Sequence, residues 1–182
     1  MIRIVGLSGS LRRHSFNRGL LRAAAEVMPE DATLEIGSIE EIPLYNADIE
    51  ADAFPAGVAA LKDRIAAADG LLLVTPEYNN GIPGVFKNAI DWLSRPSSDA
   101  SRVFRDKPVA VIGASPGGFG TILSQAAWLP VLRTLGANHW SGGRLMVSHA
   151  GDAFDTEGNL TDDVVRERLA SYLSGFVGQI RG

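Results

Sequence analysis

Short blocks of continuous apolar residues alternate along the chain with segments whose apolar positions recur at helical spacing. Ile2–Leu7 is a β-branched run that ends in Ser8-Gly9-Ser10, and behind it Leu20, Leu21, Ala24 and Val27 mark one face of a helix. Thr33–Ile36 alternates as a second strand does, and Ala59–Ala68 has helical composition up to the turn signal Asp69-Gly70. Leu71–Val74 and Pro108–Ile112 are unbroken apolar runs, the mark of strands buried on both faces. Helices are predicted over Val85–Leu93 and Thr121–Leu135, the second kinked or interrupted at Pro130. Leu145–Val147 is a shorter strand, and Thr161-Asp162-Asp163 supplies an N-cap and acidic first turn for a last helix to about Val177. This alternation predicts an α/β fold, a doubly wound five-stranded parallel sheet with helices on both faces. In such sheets ligands sit in the loops at the carboxyl ends of the strands.

The 182 residues predict a single domain, 1–182, and 46% hydrophobic with 21% charged residues is ordinary for a globular protein. The cysteine count changes the picture more. With none, there is no disulfide framework, thiolate zinc site, thiol nucleophile or CxxC pair, so any redox work must be carried by something the chain binds. A net charge of −4 gives no general attraction to nucleic acid or anionic lipid. Apolar stretches fall far short of the ~18 residues of a membrane span, and the N-terminus reads as a strand rather than a signal. No nucleic-acid or membrane partner and a cytoplasmic location are therefore expected.

Three loops carry the candidate chemistry. The first, Gly6–Asn17, offers small residues, hydroxyls, an Asn side chain and Arg12 and Arg13, with Arg18 and Arg22 close behind and a helix N-terminus following. That combination is an anion site, better matched to a single terminal phosphate than to a nucleoside triphosphate because neither Gly-Lys-Ser/Thr nor GxGxxG is present. A plainer reading leaves these residues capping a helix in water. The second, Thr75–Gly84, is stiffened by Pro76 and Pro83 and carries Tyr78, whose ring could face a planar ligand or fill the core. The third, Gly113–Gly120, exposes backbone at Gly117 and Gly118 beside the same crevice.

Two attractive motifs fail on mechanism. Gly113–Gly117 spells G-x-S-x-G, but Pro116 has no N–H for an oxyanion hole and no acid lies between Ser115 and the last histidine, His149. Asp152–Asn159 suggests a calcium loop, yet counted from Asp155 the glycine position holds Leu160 and the bidentate position Arg166, so it reads as a turn. His14, His139 and His149 show no metal-ligand spacing, and no metal is expected.

The segments Gly9-Ser10-Leu11-Arg12, Ser15-Phe16-Asn17, Pro76-Glu77-Tyr78-Asn79 and Pro83–Pro96 resemble the NADPH-dependent FMN reductase family, in particular its quinone and chromate reductase branch. The likeness extends through Ile42–Asp48 and Gly158–Asp162 and so covers nearly the whole chain. The resemblance implies a flavodoxin-like fold with strand order 2-1-3-4-5, one noncovalent FMN per subunit near a dimer interface, and dimers often paired into tetramers. Carried over by position, Ser10, Leu11, Arg12, Ser15, Phe16 and Asn17 would hold the FMN phosphate. Pro76, Glu77, Tyr78, Asn79 and Asn80 would line the flavin ring, and Ser115, with the backbone of Gly117 and Gly118, would border it. Asn80 departs from the family pattern, which has Tyr there. NADPH or NADH would be the electron donor and a quinone, chromate, azo or nitro compound the acceptor. The chemistry then belongs to the cofactor, and no protein acid, base or nucleophile is nominated. The rival readings are an electron-carrying flavodoxin, disfavoured by the mild charge and by the lack of Trp in the three loops, and a flavin-binding protein without turnover. The apolar helix Val85–Leu93, with Trp92, is either core or subunit contact.

Overall fold

The computed structural model describes residues 1–182. Six parallel strands form the sheet: β1 (Ile2–Ser8), β2 (Ala32–Gly37), β3 (Gly70–Val74), β4 (Pro108–Ala114), β5 (Asn138–His139) and β6 (Met146–Val147). Their order is β2-β1-β3-β4-β5, with β6 pairing the far end of β4, so the order implied by the resemblance holds. The helices are α1 (Phe16–Glu26), α2 (Ala47–Asp52), α3 (Ala56–Ala66), α4 (Gly84–Leu93), α5 (Ala100–Phe104), α6 (Ile122–Leu135), α7 (Ala150–Ala153) and α8 (Asp163–Arg181).

The unbroken apolar runs follow from burial on both sides. Along β1, β3 and β4 one alternate set, Ile4, Leu72, Val74, Ala110 and Ile112, packs against α1, α7 and α8. The other set, Val5, Leu7, Leu71, Leu73, Val109 and Val111, packs against α3, α4, α5 and α6. Every residue of β3 is buried. Trp92 is fully buried in the second core, edge-on to Tyr45 and Phe54, with its indole N–H donating to the Pro43 carbonyl at 2.8 Å. The helix that carries it is therefore core on that face.

The structure corrects the expected elements in three places. The fifth strand of the sheet path is Asn138–His139, and the expected strand near Leu145–Val147 is a sixth, on the same edge of β4. Helix α6 runs through Pro130 without interruption. Pro130 and Ala126 are both exposed, so the carbonyl that loses its helical donor to Pro130 faces water rather than a dry interior. Helix α8 extends to Arg181, beyond the expected end.

One charged side chain lies inside the second core. Lys62 of α3 is buried, pairs with Asp99 at 2.8 Å, donates to the Arg95 carbonyl, and holds its ammonium 5.2 Å from the Phe54 ring. It ties α3 to the segment leading into α5.

Candidate functional site

The carboxyl ends of β1, β3 and β4 lie side by side, and the three loops that leave them enclose a cleft of about 130 Å³. Ser10, Arg12, Ser15, Phe16 and Asn17 line it from the first loop, Pro76, Glu77 and Tyr78 from the second, and Ser115 from the third. Ala114 and Pro116 line it too, and neither stood among the expected residues. Leu11, Asn79, Asn80, Gly117 and Gly118 lie outside the lining.

The first loop presses against the molecule at Gly9. Its N–H donates to the Val74 carbonyl at 2.9 Å, and a Cβ there would stand 2.2 Å from the Phe86 ring of α4, so only glycine lets the loop lie this low. Beyond it the Ser15 hydroxyl caps α1, accepting from the N–H groups of Asn17 and Arg18 at 3.2 and 3.4 Å. The N–H groups of Ser10, Leu11, Ser15 and Phe16 have no partner in the protein. No acid occupies the first turn of α1, so its positive end is uncompensated. Arg12 stands over the Phe16 ring at 5.3 Å and donates to the His14 carbonyl at 2.8 Å, which holds a cation at the rim of this donor set. Free N–H groups, a hydroxyl, a guanidinium and a helix N-terminus are the donors that a phosphate monoester takes up.

Arg18 and Arg22, also credited to the anion site, are engaged elsewhere. Arg18 pairs with Glu40, and Arg22 donates to the Gly158 carbonyl and to Asn159 at 3.1 and 3.0 Å. Asn17 is also committed. Its amide donates to the Ala114 carbonyl at 2.8 Å and accepts from the Ala114 N–H at 2.9 Å, so it fastens α1 to the end of β4 from inside the cleft wall. Replacing Asn17 with Leu would leave both buried Ala114 groups unpaired, and we expect a loss of about 2–4 kcal/mol in denaturant unfolding together with weaker anion binding.

In the second loop Tyr78 and Gly81 exchange backbone hydrogen bonds of 3.1 and 3.2 Å around Asn79 and Asn80, whose φ values are 49° and 61°. This is a two-residue hairpin with both central residues left-handed, a conformation that Asn tolerates. The two Asn therefore form the tip of the hairpin that follows Tyr78. Tyr78 is about half exposed, which excludes the core-filling reading and leaves its ring free at the rim. Glu77 accepts from the N–H groups of Leu123 and Ser124 at 2.8 and 3.0 Å, so it caps α6 while facing the cleft. In the third loop Ser115 donates its N–H to Val147 and accepts the Ala150 N–H, at 2.9 and 3.1 Å, which anchors it to the segment between β6 and α7.

Residues 2–152 match the family model of NADPH-dependent FMN reductase. The chain is 41% identical to the NAD(P)H-dependent FMN reductase of Pseudomonas aeruginosa, across 100% of this chain and 98% of that protein. It is 38% identical to a 2-hydroxy-1,4-benzoquinone reductase from a Burkholderia species, across 99% and 97% of the two chains. Among solved structures it superimposes on FerB, a flavoenzyme NAD(P)H:(acceptor) oxidoreductase of Paracoccus denitrificans, with a TM-score of 0.87 at 35% identity, covering 100% of this chain and 98% of that one.

Proposed function

The chain belongs to the NADPH-dependent FMN reductase family and is an FMN- and NAD(P)H-dependent oxidoreductase, and we propose that the three-loop cleft is where it holds the cofactor and reduces a quinone. The observation that carries the assignment is the donor set around α1: unpaired N–H groups at Ser10, Leu11, Ser15 and Phe16, with the Ser15 hydroxyl and Arg12 beside them. It fits the phosphate of FMN in charge and in chemistry. The chemistry supplied by FMN held on these groups would be acceptance of a hydride from the reduced nicotinamide and release of the electrons to an acceptor.

What the chain itself contributes is position and exclusion. Arg12 and the positive end of α1 neutralise the phosphate. Phe16, Pro76 and Pro116 give the cleft apolar walls, and Tyr78 offers an exposed aromatic face to a flat ligand. Glu77 locks the second loop to α6 and Asn17 locks the end of the first loop to β4, so the walls are set before any ligand arrives. Quinones are the acceptor class that the names of the relatives support. We further propose that the working form is a homodimer or homotetramer. Phe119 of the third loop and Leu123 at the start of α6, both substantially exposed, supply apolar surface for such an assembly. No helix is long and apolar enough to cross a membrane.

The test is oxidation of NADPH and of NADH by the purified protein with a quinone, with and without added FMN. We expect turnover that rises with FMN to a plateau. Stoichiometric FMN binding without turnover on any acceptor would instead support an electron carrier or a non-catalytic flavin protein.

A further inference from the structure

The edge of the sheet is split. β5 covers only the first two residues of β4 and β6 only the last two, so the chain between them leaves the sheet, and no strand pairs with the middle of β4 on that side. Tyr172 of α8 closes part of the gap, its hydroxyl donating to the Val111 carbonyl at 3.1 Å. Between this point and α6 lies a cavity of about 370 Å³. It shares no lining residue with the three-loop cleft.

Its walls are apolar and partly aromatic. Ile122, Ala126 and Leu129 form one side, from α6, and Met146 another. Trp140 makes the end wall, edge-on to Tyr172 with ring centroids 4.7 Å apart. The indole needs the glycines around it, because a Cβ at Gly142, Gly143 or Gly175 would come within 2.7, 2.8 or 3.0 Å of its ring. The polar groups are few. Gln125 spends its N–H₂ on the Thr121 hydroxyl and the Leu145 carbonyl, leaving its carbonyl oxygen without a partner. Burial pushes the His139 imidazole down, so it is neutral at pH 7. Arg144 is exposed and engages no side chain or carbonyl, and no carboxylate lines the cavity to answer it. A pocket of this size, mostly apolar with a few convergent polar groups, has the form of a small-molecule site.

We propose that this cavity is a second ligand site, separate from the cofactor cleft, and that it takes a small planar aromatic carboxylate. The ring would lie between the Trp140–Tyr172 wall and the aliphatic side chains of α6, with the carboxylate on the Arg144 guanidinium.

The proposal is tested on the FMN-loaded protein with 1-naphthoate, by titration calorimetry and by tryptophan fluorescence. Trp92 and Trp128 are fully buried in the second core, so Trp140 is the tryptophan placed to report. Saturable binding with a change in fluorescence is expected, and the neutral 1-naphthamide should bind about three- to tenfold more weakly. Arg144→Gln should bring naphthoate down to the level of the amide, and Ala126→Phe should abolish binding by filling the cavity, both with FMN content unchanged. Absence of saturable binding to the unaltered protein, or binding that Ala126→Phe leaves intact, would overturn it.

Discussion

Replacing Arg12 with Ala is expected to weaken FMN binding by about 10- to 100-fold, the cost of removing one charged hydrogen-bonding group from a phosphate, while leaving the unfolding midpoint nearly unchanged. The separation of the two effects follows from where Arg12 stands. Its side chain is exposed, its one protein hydrogen bond goes to the neighbouring His14 carbonyl, and no buried group depends on it. The free N–H groups and the end of α1 remain in the variant, so binding should weaken rather than vanish. Equilibrium dialysis or fluorescence titration with FMN measures the first effect, and thermal unfolding of the apoprotein the second. Unchanged FMN affinity would refute the phosphate site.

Replacing Lys62 with Met should cost about 2–4 kcal/mol of folding stability at pH 7, because it leaves Asp99 and the Arg95 carbonyl without their buried partner. The value lies toward the lower end for breaking a buried pair, since Asp99 is partly exposed and keeps a bidentate contact with Arg102 at 2.7 and 3.0 Å. Arg102 first and Lys62 second hold the Asp99 carboxyl well below the usual carboxylate range. A carboxyl depressed in the folded state adds stability that is fully present above its unfolded value of about 4 and is lost as the pH falls toward the folded one. The unaltered protein should therefore lose part of its stability below about pH 4, and Lys62→Met should lose less over the same interval. Urea unfolding at neutral and acid pH checks both. Restoring apolar packing with Lys62→Met and Asp99→Leu together should recover part of the loss, an outcome that a purely steric role for Lys62 would not give.

The fold was legible where burial is two-sided and the run is long enough to show it. Leu71–Val74 and Pro108–Ile112 announce central parallel strands because both faces of the sheet are covered. Asn138–His139 gave no such signal, being two residues long and only partly buried, and α2, α5 and α7 are too short to display a period. The cleft was legible as three glycine- and serine-containing loops after three strands. What the sequence did not resolve was which side chains are already committed. Arg18 and Arg22 stand four apart on α1 and share a face that leads to Glu40 and Asn159, whereas Arg12 precedes the helix and stays at the cleft. Asn79 and Asn80 read as ligand groups, but the hairpin they build was not read in advance, although an Asn pair between a Tyr and a Gly is able to turn the chain in two residues and the positive φ angles show that it does. Asn17 and Glu77 face the cleft and also brace it, a double role that needs the partner's position, Ala114 or the start of α6, to be known.

FMN held in this cleft would pass electrons from a reduced nicotinamide to a small acceptor. The most direct test is the visible absorbance spectrum of the protein reconstituted with FMN and freed of excess by gel filtration, recorded without oxygen before and after NADPH and again after a quinone. Flavin absorbance should comigrate with the protein at one FMN per chain, fall with NADPH, and return with the quinone. A protein that emerges colourless after reconstitution, or bound FMN whose absorbance neither NADPH nor NADH lowers, would contradict it.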